Sequence, residues 1–322
     1  MVGASNKKLW QKRIILLAVV IGIFIVENII TGGKMLTGSN IRTILMHAVF
    51  PAFAAWGMMF IFTTGLIDLS VGAQVLLGAN IGAIIAVDAG LGYVGLILGT
   101  IVVVIICEQI VVFCNQNLRI PGWIAGLGCG LVFEAILVMY ATKRSETSGS
   151  SVLTLPDSLR VLGRWPAMVI IWVVAAVIAY IVFNRTSIGL NLRAVGGNES
   201  VASAMGINRK KTIILAALVG SLFLAVGAIL DISYAGKLSP SSGLGSISLI
   251  FKGLATVLLA QSFTSIVSDA IGIFVGAIFV QGLFNFLTIM GVPSGTGQEI
   301  FLGAVVIICG ILARLNFKGV AK

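Results

Sequence analysis

Long apolar stretches separated by short polar breaks recur along the whole chain. A hydrocarbon core of about 30 Å requires roughly 20 apolar residues in a helix, and about ten such stretches can be placed. They are centred near Val20, Phe53, Ala79, Val103, Val132, Val174, Val219, Leu258, Phe279 and Val306. The pattern predicts an all-α integral membrane protein, a single transmembrane domain over residues 1–322 with about ten transmembrane helices. The first stretch follows Lys7, Lys8, Lys12 and Arg13, as a signal peptide would, but no small-residue cleavage site follows Ile30. It reads as a retained first span.

Two polar segments interrupt the apolar rhythm. One covers residues 141–165 and carries Lys143, Arg144, Glu146, Asp157, Arg160 and Arg164 around a Ser-rich middle. The other, residues 184–212, has the marks of a short surface helix. Asn198 is a good N-cap, Glu199 puts a negative charge in the first turn, and Gly206 suits a left-handed helix end. Glu199 to Met205 should therefore be helical, with Val201, Ala202 and Met205 as its apolar stripe. So short a helix is marginal alone and gains stability by docking, on the membrane face or on a partner.

Composition agrees with the pattern: 58% of residues are hydrophobic and 10% charged, with 39 glycines. Glycines four apart at Gly78/Gly82, Gly95/Gly99, Gly122/Gly126 and Gly272/Gly276 suit closely packed helices in lipid. The excess of Lys and Arg in cytoplasmic loops sets orientation. With both termini inside, the inside set holds the N-terminal cluster, Arg119, Arg185, Arg193, Arg209, Lys210, Lys211, Arg314, Lys318 and Lys322. The outside set is smaller: Lys34, Arg42, Lys143, Arg144, Arg160, Arg164 and Lys237. Segment 141–165 then lies outside and segment 184–212 faces the cytoplasm. The net charge of +10 is accounted for by basic loops against anionic lipid, without a nucleic-acid partner.

Candidate chemistry is sparse. Cys107, Cys114, Cys129 and Cys309 sit in apolar runs without a Cys-x-x-Cys pair and read as small buried hydrophobes. The single His47 cannot build a metal site, and no hydrolase, metalloprotease or phosphate-loop motif occurs. No catalytic residue, metal site or cofactor is assigned, and any ATP must be bound elsewhere. Asp68 stands out because a carboxylate at membrane depth costs about 3 kcal/mol unless paired or wetted. Its neighbours Gly65, Ser70 and Gly72 suggest a helix break, with Asp68 as a capping or turn residue near the cytoplasmic face. Other polar groups in apolar runs are Gln74, Asn80, Glu108, Gln109, Glu134, Asp231, Gln261, Gln281 and Asn285. Gln74, Asn80, Phe284 and Asn285 could line a pathway for a neutral polyol or could bond neighbouring helices. Lys252, near a span end, can snorkel to the outer interface.

Gly189-Leu190, Arg193-Ala194-Val195-Gly196-Gly197-Asn198-Glu199, Ala202, Gly206 and Ile207 resemble the cytoplasmic loop of ABC-importer permeases of the ribose and simple-sugar class, related in fold to the vitamin B12 permease. The string from Gly65 to Gly72 resembles that family's second signature, a Gly-Gly-Ile-Asp-Leu-Ser-Val-Gly run. Ile120-Pro121, Ile124, Leu127-Gly128, Gly276-Ala277, Asn285, Gly291-Val292, Gln298 and Gly303 add matches in the family's order. The chain departs from the pattern at Leu66, which replaces a Gly, and at Gly126, where Thr is common. It departs again at Leu258–Ser268, where a Gly-Gly-rich turn is usual.

The resemblance implies a bacterial cell-membrane permease importing a sugar-like solute by alternating access. Its partners would be an ABC ATPase subunit that binds Mg-ATP, an extracytoplasmic solute-binding protein and a second permease subunit. That second subunit is a copy or, as the departures suggest, a different chain forming a heterodimer. The loop around Arg193, Ala194, Gly197, Asn198, Glu199, Ala202, Gly206 and Ile207 would be the coupling helix that docks on the ATPase. Nucleoside and autoinducer-2 importers share the pattern. Other classes remain open: an ion-coupled secondary transporter using Glu108, Glu134 or Asp231, or a membrane scaffold or receptor.

Overall fold

The computed structural model describes residues 2–293 and 295–317; Lys318 and Lys322 of the inside set lie outside them. The described residues form helices and connecting turns, with no strand among them. In chain order the helices are α1 (Val2–Ile30), α2 (Gly38–Phe62), α3 (Val71–Val87), α4 (Gly92–Asn117), α5 (Gly122–Ser148) and α6 (Ala167–Arg185). They continue with α7 (Ser187–Gly197), α8 (Glu199–Ala204), α9 (Arg209–Ala235), α10 (Ile247–Ser262), α11 (Asp269–Ile289) and α12 (Thr296–Phe317).

Among the described residues, seven helices are long and apolar enough to cross a membrane: α1, α2, α4, α5, α6, α9 and α11. Three more apolar segments, Val71–Val87, Ile247–Ser262 and Gly297–Ile311, are shorter. Helices α3 and α10 measure about 25 and 24 Å at 1.5 Å per residue, less than the core they were expected to span. The segment read as a loop over 141–165 also differs. Helix α5 runs on to Ser148, and two 3-10 turns, Asp157–Leu159 and Val161–Gly163, fold the rest back. Arg160 and Tyr93 hold them there: Arg160 donates to the Ser233 and Tyr234 carbonyls, and the Val161 amide donates to the Tyr93 hydroxyl at 3.2 Å.

Helices α2 and α9 form the centre and pack on each other. Helix α2 also packs on α10 and α11, and α9 on α3 and α4; α3 packs on α4 and α5 as α10 packs on α11 and α12. The four helices α9–α12 therefore repeat the packing of α2–α5 in inverted sense. At the centre, Phe53, Trp56, Phe60 and Phe223 pack ring to ring, with Phe60 stacked on Phe223 at 5.5 Å. In lipid no hydrophobic drive separates helix from solvent, so close packing carries this association.

All four glycine pairs fall at crossings. A β-carbon at Gly78 or Gly82 would run into Val104, Thr100 or Leu96 of α4, and one at Gly95 or Gly99 into Ile85, Ala86 or Gly82 of α3. Gly122 and Gly126 face the turn at residues 66–69, and Gly272 and Gly276 face Ala260, Leu259 and Thr256 of α10. Cys107 and Cys309 are buried as expected, while Cys114 and Cys129 are half-buried; all four are free thiols. Helix α1 stands apart, touching α11 through Phe24 and Phe279.

Candidate functional site: the helix break and the polar insert

Helix α2 stops at Phe62 and the chain turns through residues 63–70 before α3 begins. Gly65 makes the reversal with φ +82°, a left-handed conformation that costs a side-chain-bearing residue. Asp68 is fully buried. Its Oδ1 accepts the Ser70 amide and hydroxyl, both at 2.8 Å, and its Oδ2 accepts the Gln74 amide Nε2 at 2.9 Å. The same Nε2 donates to Glu108 Oε2 on α4 at 2.8 Å, so one buried amide ties the turn, α3 and α4 together. This geometry is that of a turn residue buried inside the protein.

Depth follows from α4. Gln116, near the end of α4, accepts from Arg209 at the start of α9. Glu108 lies eight residues further in, about 12 Å along the helix, and Val104 about 18 Å. Asp68, tied to Glu108 through Gln74, thus sits well below the end of α4. The chain turns back into the protein after α2, and freed backbone groups find protein partners instead of lipid. At the level of Val104, Val71 of α3 and Ile250 of α10 share one apolar cluster. There the two short helices meet at their first turns: a β-carbon on Gly72 would overlap the Ser246 carbonyl.

The start of α10 is held by a carboxylate from another helix. Glu134 on α5 is buried, and its two oxygens accept the Leu244 and Ser246 amides, each at 2.8 Å. Leu244 is left-handed, φ +66°, and this clamp offsets the cost. Negative charge also suits a helix N-terminus. This role for Glu134 was missed: an acid in an apolar run is visible in the sequence, but its backbone partners leave no sequence mark. Both its oxygens are thus committed to the backbone at the start of α10. Asp231 is partly buried on α9.

The remaining pathway candidates do not come together. Asn80 is buried and donates to the Leu76 carbonyl of its own helix at 2.8 Å. Phe284 is buried with Ala255, Val280 and Leu302. Gln74 serves the helix break, and Asn285 is partly buried with an unpartnered Oδ1. Lys252 does not snorkel outward but lays its Nζ over the Phe284 ring, 4.6 Å from the centroid.

In the polar insert, Asn198 caps α8 as expected, its Oδ1 accepting the Val201 amide at 3.1 Å. Gly206 ends it at φ +82°, and the Ile207 amide returns to the Ala202 carbonyl at 3.0 Å. The expected stripe divides: Ala202 is buried against the protein, whereas Val201 is 55% and Met205 76% exposed. Glu199 pairs with Arg209 at 3.1 Å. Helix α7, not anticipated from the sequence, precedes α8. Its Leu192 and Val195 are buried, and the half-buried Ala194 gives its carbonyl to the Asn198 amide. Arg193 donates to the Gly189 carbonyl and lies over the Phe183 ring. Gly197 is open, but at Gly196 a β-carbon would overlap the Thr63 carbonyl, so the insert rests directly on the end of α2.

A sequence model of the family described as "Branched-chain amino acid transport system / permease component" matches residues 40–310. The chain belongs to this permease family. It is 27% identical to the ribose import permease of Escherichia coli K12 over 321 residues, which cover 94% of this permease and 92% of that protein. It is 28% identical to the ribose import permease of Bacillus subtilis, with 91% of each covered. A galactose/methyl galactoside import permease of Treponema pallidum is 26% identical, and there the match spans 94% of this permease but 62% of the relative. No solved structure matches. The family places a permease subunit in the membrane, as the apolar helices require.

Proposed function

We propose that this permease is the membrane subunit of a binding-protein-dependent ABC importer that moves a sugar-like, hydrophilic solute by alternating access. ATP is hydrolysed on a separate subunit, for which α8 is the docking helix. The observation that carries this reading is the divided stripe of α8. Asn198 and the return from Ile207 close the two ends of the helix and Ala202 is buried against the protein, while Val201 and Met205 stand exposed on a helix too short to be stable unsupported. The named relatives import ribose and galactose or methyl galactoside, which supports a sugar-like cargo over nucleosides or autoinducer-2. In this reading the chain crosses the membrane about ten times, both termini and residues 184–212 face the cytoplasm, and the outer segment meets the binding protein. A second permease subunit completes the pathway between two copies. The engagement of both Glu134 oxygens by the start of α10 favours a structural role for that acid over ion-coupled transport.

A photo-crosslinker at Met205, placed in native membranes, tests the docking. An ABC ATPase is the expected major adduct, lost in Val201→Asp. An unchanged adduct in Val201→Asp, or lipid as the sole adduct, refutes it.

A further inference from the structure

We propose that docking-helix movement reaches the middle of the membrane through two backbone contacts, Gly196 on Thr63 and Gly72 on Ser246, with Gly196 as a positioning residue for coupling. The proposal rests on the docking role of α8.

Besides the packing of α7 on α6 and α9, movement of α8 can enter the protein by an ion pair or by a backbone contact. The first is the Glu199–Arg209 pair into α9, whose side chains are 60% and 42% exposed. Exposed ion pairs of this kind contribute about 0–1 kcal/mol and yield by side-chain rotation, so they transmit little force. The second begins at α7, joined to α8 by Asn198. At Gly196 the α7 backbone lies on the Thr63 carbonyl with no side chain between them. Thr63 is bound in turn. Its amide and hydroxyl both reach the Met59 carbonyl, the Thr64 hydroxyl donates to Ile61 at 2.7 Å, and the Gly65 amide donates to Phe62 at 2.9 Å. The turn that follows is backed by α5, where a β-carbon on Gly126 would lie 2.5 Å from Asp68 Oδ1 and 2.6 Å from the Leu69 amide. It ends at Gly72, pressed on the Ser246 carbonyl, and the Ser246 amide is held by Glu134.

Close-packed interiors transmit strain, and backbone contacts have no rotamers with which to absorb it. A push on α7 therefore displaces the 63–72 turn and with it the start of α10. The two signature strings, more than a hundred residues apart in sequence, become parts of one device. The second glycine explains its companion: Gly72 lets the inverted half of the fold receive the movement at α10.

The test uses the assembled importer in proteoliposomes, comparing wild type with Gly196→Ala, a residue that faces Thr63 and not the exposed side of α8. Crosslinking from Met205 to the ATPase and basal ATP hydrolysis should be retained, while solute-stimulated hydrolysis and uptake fall about tenfold, a usual size for coupling between sites. Retained stimulation and uptake in Gly196→Ala, with the crosslink intact, overturn the relay and leave the docking role standing. Absence of any ATPase crosslink in wild type refutes the docking role itself. If Gly196→Ala fails to accumulate, spin labels at the exposed Leu190 and Ile67 of otherwise wild-type permease replace it. The distance between them should stay fixed between nucleotide-free and ATP-trapped states while both move against a label at Ile307. A changing Leu190–Ile67 distance, or none of the three distances changing, overturns the relay.

Discussion

At Asp68 and Glu134 two buried carboxylates solve the same problem, a helix that begins inside the protein. Such a start leaves amides without helical partners, and each acid accepts donors nearby: the Ser70 amide and hydroxyl and the Gln74 side chain for Asp68, the Leu244 and Ser246 amides for Glu134. Charged hydrogen bonds of this kind are worth about 1.5–3 kcal/mol each. Glu134→Ala should therefore lower stability by about 3 kcal/mol, read as the midpoint of thermal unfolding in detergent, and Glu134→Gln, which keeps one acceptor, by less. Equal losses in the two variants would deny the clamp. Gly126 gives a second expectation. The turn lies so close that a β-carbon there would meet the Leu69 amide at 2.6 Å. Gly126→Thr should reduce folded yield, measured by size-exclusion of the solubilised permease. The acid at 68 was legible because glycines flank it. Its depth was not, because span parity assumes that each polar break reaches the surface.

Among the elements, α8 was readable almost to the residue, since capping leaves a local code: Asn198 before it, Glu199 in its first turn, Gly206 after it. Asn198→Ala should cost about 1 kcal/mol of local stability, visible as faster amide exchange over residues 199–205 with the transmembrane helices unchanged. Protection left unchanged would show that docking contacts, not the cap, hold the helix. Helix α7 was missed for the opposite reason. Gly189, Gly196 and Gly197 lower helix propensity, and the packing that overrides it, Leu192 and Val195 against the protein, is tertiary. Hydropathy located α3 and α10 but not their manner of insertion. An apolar run of 16 or 17 residues reads alike whether its first turn meets water or another helix start.

For the whole molecule, the sequence carried the membrane setting, the glycine crossings and the family. The inverted packing of α2–α5 and α9–α12 was not legible, because it is a relation between contacts and not between residues. That arrangement brings a helix start from each half to one level, linked through Gly72 and Ser246, and places the insert on the end of α2. Both features suit a permease moved from one face by a docked subunit. The most direct test is uptake by the purified permease, reconstituted with the proposed ATPase, second permease subunit and binding protein, with a panel of radiolabelled pentoses and hexoses. The expected result is uptake that requires ATP on the α8 side, persists with ion gradients collapsed, and is lost in Val201→Asp. Uptake driven by an ion gradient without ATP would contradict it.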